Sequence, residues 1–278
     1  MRPTVRAAFV GFSEPLEGIV YSIYADVKSL PTTGMGNLLT TPDTAAGLPF
    51  RRRDGSLATP DEKRAEWRDI RAGCCKAGEG GDDYRVCRWP EKKNPTTGAG
   101  CFAHRGWTAS EAARPRLKLA HGDVVVLIHR ELDRFWNILR QHFAEIDEWP
   151  ADAQLGLLSM SWGLGPAFAP KWPRFTEAAR SRDFLAAATE CRMQGEGTIH
   201  KRNDRNKVLF RNASVVASGG HLPDRLWWPR DIFEEPLPLE DDTLDEDDAT
   251  KRSAITWETV TRLPGSIAND DDEPPEAA

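Results

Sequence analysis

Leu16-Glu17-Gly18-Ile19-Val20-Tyr21-Ser22-Ile23-Tyr24-Ala25-Asp26, with Thr32-Thr33-Gly34-Met35-Gly36-Asn37 close behind, decides how this chain reads. Upstream, Val5, Ala8, Phe9 and Phe12 fall at helical spacing, so Thr4 to Phe12 is expected to be helix, and Pro15 with Gly18 stops it near Glu17. Ile19, Tyr21 and Ile23 alternate with Val20, Ser22 and Tyr24, the period of a strand. A turn around Lys28 to Pro31 returns the chain, and Thr33-Gly34-Met35-Gly36 is the expected partner. Glu17 then stands at a helix C-terminus, where the negative end of the dipole suits a proton donor, and Asp26 at the wetter end of a hairpin. Two carboxyl groups and a hydroxyl so arranged suit hydrolysis of a glycosidic bond. One carboxyl protonates the leaving oxygen, and another, across the sugar, activates water or attacks.

Singly, each residue has an ordinary reading: a solvated charge at a helix end, an Asp in a turn, a Thr in a strand. Their joint spacing is what carries information. Glu17, eight residues, Asp26, five residues, Thr32 resembles the signature of the phage-type lysozymes (glycoside hydrolase family 24) and their pesticin-like relatives. Gly34 and Gly36 match the Gly-x-Gly that follows the family Thr. The chain departs from the pattern at Asn37, where many members have His, and at Pro15, close to the Glu. Far downstream, Gln154 to Gly165 resembles the family's central core helix, and Arg202-Asn203-Asp204-Arg205, then Phe210-Arg211, its basic helix. In that alignment Arg202 falls where the family places an Arg that pairs with the Glu, although Asp204 and Asn206 permit other registers. The resemblance covers roughly residues 4–40 and 123–217.

This resemblance implies an α+β, two-lobed lysozyme-like fold, with a small β-hairpin lobe and a larger, mainly helical lobe. It implies a muramidase that cleaves the β-1,4 bond between N-acetylmuramic acid and N-acetylglucosamine in peptidoglycan glycan strands. Glu17 would give the proton, Asp26 and Thr32 would position the attacking water, and Arg202 would orient Glu17, with Gly34 and Gly36 beside the substrate. An inverting outcome corresponds to carboxyl groups about 6.5–9.5 Å apart, and a covalent route to about 5–5.5 Å. Neither cofactor nor metal is required, and a monomer is expected. Two other classes stay open: a noncatalytic wall-binding or structural protein of the same fold, and a glycosidase acting on a polymer such as chitin. A phage endolysin and an antibacterial effector with an immunity protein and delivery machinery fit equally well.

Composition bounds the rest. With 278 residues, 40% hydrophobic and 29% charged, the chain suits a protein with one sizeable core and attachments. It has no apolar run long enough to span a membrane and no standard secretory signal at Met1 to Arg6, so action on the wall would follow export or phage-type release. Residues 234–278 hold fifteen acidic side chains against Lys251, Arg252 and Arg262, a net charge of −12, which leaves +6 on residues 1–233. A basic body suits anionic peptidoglycan, and no nucleic-acid-binding motif accompanies it. The expected organisation is a catalytic domain over 1–217 and an extension over 218–278, acidic and disordered from about 234.

Residues 41–122 read as an insertion in or beside the small lobe, with one expected helix from Pro60 to Ala72. Trp89 and Trp107 there either stack on sugars or fill a core. Cys74, Cys75, Cys87 and Cys101 permit disulfides, free thiols or a zinc site with His104, whereas Cys191 reads as a small buried residue. In the larger lobe, Asp123 is the expected cap of a helix running to Ile146, with Leu127, Ile128, Leu132, Phe135, Trp136, Leu139 and Phe143 as its apolar stripe. The next helix, with Pro150 in its first turn, is apolar nearly all round and so should be buried. Further helices are expected at Phe175–Ser181, Asp183–Met193 and Asn203–Val216, with Arg180, Arg182, Lys201, Arg202 and Arg205 forming a basic edge. His129 and His142 read as surface or satisfied helix residues.

Overall fold

The computed structural model describes residues 1–26, 30–73, 116–195 and 198–234, all within the unit Met1–Pro236. The four clustered cysteines, Trp89, Trp107, His104 and the acidic tail lie outside the described residues.

The chain is α+β: a three-stranded antiparallel sheet and a set of helices. Helix α1 (Pro3–Glu17) starts on Pro3, where a missing N–H does no harm, and buries Val5, Phe9, Phe12 and Leu16 along one face. Pro15 lies in its last turn, but the Gly18 N–H still donates to the Glu14 carbonyl at 2.7 Å, so the helix reaches Glu17. Strand β1 (Val20–Ala25) pairs with β2 (Pro31–Gly34), and β2 pairs with β3 (Asn37–Leu38) around a turn at Met35-Gly36. The β1–β2 register shifts between Val20 and Tyr24, so Ile23 and Tyr24, neighbours in sequence, are both buried. Simple alternation therefore fails in β1.

Two helices occupy residues 41–73. The short α2 (Pro42–Ala46), not expected, is capped by the Thr41 hydroxyl, which accepts from the Thr44 N–H at 3.1 Å. Helix α3 (Pro60–Gly73) opens on a reciprocal cap: Glu62 accepts from the Thr59 N–H at 2.7 Å, and Thr59 Oγ1 accepts from the Glu62 N–H at 3.3 Å. Buried Glu66 accepts from the N–H groups of Arg116 and Leu117, and Leu119 donates its N–H to the Tyr21 carbonyl. The chain thus returns across β1.

The helical part is built on α4 (His121–His142) and α5 (Ala151–Leu164). All seven residues of the expected α4 stripe are buried. Its start differs: Ala120 is the cap residue, and Asp123 sits inside the first turn, accepting from the Ala120 N–H at 3.3 Å. The helix ends at His142, and Ile146–Glu148 form a separate 3₁₀ turn. Helix α5 is covered on every side, packed against α1, α4 and α8, with Pro150 just before it rather than in its first turn. Helices α6 (Pro173–Arg180), α7 (Phe184–Glu190) and α8 (Thr198–Ala217) complete the set. α7 stops short of Met193 because Asn203 accepts the Met193 N–H and donates to its carbonyl, both at 2.8 Å. The basic edge is corrected at Arg202, which is only 2% exposed. Arg205 is also drawn inward, over the rings of Phe12 and Trp228.

Past residue 217 the chain stays on this body. Trp227 and Ile232 are buried, and Asp152 at the start of α5 accepts from the N–H groups of Trp227 and Trp228 and from Asn212 Nδ2, at 2.9, 3.0 and 3.0 Å. No helix among the described residues is long and apolar enough to cross a membrane.

Candidate active site

The last residue of α1 and the first turns of α8 meet. Arg202 Nη2 donates to Glu17 Oε1, across 185 residues of chain. The guanidinium is buried, and its Nη1 donates to the Ser159 carbonyl of α5 at 2.8 Å. A buried cation is costly unless it is paired and its N–H groups are hydrogen-bonded, and here Glu17 and the Ser159 carbonyl share that task. Arg202 therefore fixes Glu17 as firmly as it is itself fixed. The Glu17 side chain keeps 29% of its surface exposed, so it remains open to a substrate.

Asp26 ends β1. Its carboxylate accepts from the Leu30 N–H at 2.8 Å, and its own N–H donates to the Leu30 carbonyl at 3.0 Å. Thr32 is 2% exposed and donates its hydroxyl to that same carbonyl at 3.0 Å. Asp26 and Thr32 thus converge on Leu30 at the hairpin mouth. Gly34 and Gly36 lie at the other end of β2 with φ of +62° and +84°. A Cβ at Gly34 would stand 2.8 Å from Asn37 Oδ1, so both glycines shape the β2–β3 turn.

Tyr24 feels the charge of both carboxyl groups. It pairs across the strands with Thr32 and is 8% exposed. Burial pushes its phenol up to about 12, with the charges of Asp26 and Glu17 adding to the effect, so the field of both reaches the ring oxygen. The raised value keeps the phenol in its neutral form. Sequence reading places Tyr24 only in an apolar alternation. Tyr24→Phe is expected to lower turnover about tenfold while moving stability by only about 1 kcal/mol. Steady-state kinetics and urea unfolding check both.

No family model, curated protein or solved structure matches the chain. What the site can do follows from its own groups. Among the described residues no group of His, Cys, Asp and Glu is placed to hold a metal ion.

A groove of about 500 Å³ on the helical part is lined by Lys171, Trp172, Arg174, Glu190, Arg192 and Gln194 among others. Gly163 and Met193, chain neighbours of its lining, pack toward Arg202: a Cβ at Gly163 would lie 3.5 Å from Arg202 Nε and 3.6 Å from Met193 Sδ. Lys171, Arg174 and Arg192 are exposed, and none makes an ion pair with another described residue.

Proposed function

We propose that this chain is a peptidoglycan hydrolase of the muramidase type, with a two-lobed lysozyme-like fold. The observation that carries the reading is the Glu17–Arg202 pair: an accessible carboxyl group at a helix end, braced from behind by a buried guanidinium. Asp26 supplies the second carboxylate that hydrolysis of a glycoside requires. Glu17 gives its proton to the oxygen that leaves, and Arg202 then stabilises the carboxylate left behind. Asp26 takes the proton of the attacking water. Thr32 and Tyr24 hold the hairpin end that presents Asp26, since the Thr32 hydroxyl is committed to the Leu30 carbonyl.

The test is a digest of purified sacculi with fragments identified by mass spectrometry. Disaccharide-peptides with reducing muramic ends are expected. Anhydro ends would mean lytic transglycosylation, and binding without release would leave only a noncatalytic wall-binding role.

The cationic groove supports a substrate bearing carboxylates. Reversing its charge in a Lys171→Glu, Arg174→Glu, Arg192→Glu triple variant is expected to raise the apparent KM on sacculi at least about tenfold and to flatten its salt dependence. Activity on a short neutral chitin oligomer should change little. Equal losses on both substrates would rule out an electrostatic role for the groove.

A further inference from the structure

Behind the Glu17–Arg202 pair lie four buried polar atoms with no hydrogen-bond partner among the described residues: Ser13 Oγ, Arg202 Nε, and both Oδ1 and Nδ2 of Asn206. Ser13 and Asn206 have no exposed surface at all. Ser13 precedes Glu17 by one turn of α1, and Asn206 follows Arg202 by one turn of α8. Helical side chains lean toward the N-terminus, so Glu17 lies over the turn of Ser13, and the Asn206 amide over the turn of Arg202. The two helices touch at Arg202 with Glu17 and again where Arg205 Nη1 donates to the Phe12 carbonyl at 2.5 Å. Ser13 and Asn206 fall on the seam between those contacts.

A buried amide with neither end satisfied costs about 1–3 kcal/mol for each polar group, and a Leu of similar volume at this seam would cost nothing of the kind. The four atoms are nonetheless complementary as a set. Arg202 Nε and Asn206 Nδ2 donate, Asn206 Oδ1 accepts, and Ser13 Oγ does either. A small rotation, or one internal water with polar partners on several sides, joins them.

We propose that Asn206 and Ser13 are positioning residues that hold the Arg202 guanidinium in place while Glu17 alternates between its acid and carboxylate forms. This rests on Glu17 acting as the proton donor. The ion pair holds Arg202 only while Glu17 is a carboxylate. The reaction starts from the neutral acid, and a buried guanidinium then requires neutral acceptors. The Ser159 carbonyl serves Nη1, and a small rotation of Asn206, or one internal water, lets its Oδ1 serve the otherwise unpartnered Nε. Arg202 therefore stays in position to receive the charge when the proton leaves.

The test compares Asn206→Leu with the wild type in three measurements: kcat and KM on sacculi, the urea unfolding midpoint, and exchange of the Arg202 Nε–H by nitrogen-edited NMR. Expected are a kcat at least tenfold lower, an unchanged KM and loss of protection of the Nε–H in the folded protein, with a midpoint that moves only modestly. A merely structural role would lower the midpoint while leaving kcat and the Nε–H protection of the folded protein unchanged. Wild-type kcat together with an unchanged Nε–H would overturn the proposal. Should Asn206→Leu fail to fold, Ser13→Ala reads the same quantities, with a several-fold fall in kcat expected and an unchanged kcat counting against it. If the wild type itself releases no fragments, the muramidase reading fails separately. The Nε–H protection then still decides whether Asn206 holds Arg202.

Discussion

Glu17→Gln should stop glycan cleavage while leaving the protein folded and bound to sacculi. General acid catalysis contributes about 10²–10⁴-fold, and Gln has no proton to give, so turnover should fall by that range. The substitution is gentle on structure. The amide oxygen still accepts from Arg202 Nη2, so unfolding free energy should stay within about 1 kcal/mol of the wild type. Fragment release by mass spectrometry gives the first quantity, urea unfolding the second, and co-sedimentation the third. Full lysis by a correctly folded Glu17→Gln protein would sink the assignment. A large loss of stability would instead mean that Arg202 depends on the charge of Glu17 for its place in the fold.

The largest effect on stability is expected at Asp152. It has no exposed surface and accepts from three donors, two of them backbone N–H groups that have no other partner described. Asp152→Ala leaves those donors buried and unpaired, at an expected cost of about 3–5 kcal/mol by urea unfolding. The residue also gives stability a particular pH dependence. Burial pushes its carboxyl up to about 6, above its value in the unfolded chain, so the folded state holds this proton more tightly. Its contribution is therefore fully present below about pH 4 and is lost as pH rises through about 6. The difference in stability between wild type and Asp152→Asn should shrink over that interval and level off above it. Glu62 has the opposite sign: hydrogen bonds from Arg52 and Thr59 hold it down to about 2, so its contribution is lost as pH falls from the ordinary carboxylate range toward 2. The two windows barely overlap. A wild-type minus Asp152→Asn difference that grows with pH between 4 and 6 would contradict the first.

Elements whose environment is uniform were legible in the sequence. The spacing of Val5, Phe9, Phe12 and Leu16 marks α1, the stripe from Leu127 to Leu139 marks α4, and the nearly unbroken apolar run after Pro150 marks the buried α5. Elements that depend on distant partners were less so. The end of α7 is set by Asn203 closing on Met193, and the irregular register of β1 hides Tyr24 from a reading by alternation. Asp152 looks in sequence like one more acidic residue in a first helical turn. Its partners stand 60 to 76 positions away, and no local pattern announces them. Arg202 is the same problem at greater range. It was reachable only through a family resemblance, and nothing in its own neighbourhood distinguishes it from Lys201 or Arg205. Asn206, one turn on, reads as an ordinary polar position until its burial is known.

The separation of Glu17 from Arg202 has a consequence during synthesis. A ribosome adding about 5–20 residues per second exposes Glu17 roughly 10–40 s before Arg202 is made, and the Trp227–Trp228 donors that clamp α5 come later still. Until Arg202 is made, the nascent polypeptide carries Glu17 without its ion-pair partner. Chains abandoned before α8 is complete are released without a finished centre, so whichever cell translates this message meets the working molecule only after nearly the whole body has been made.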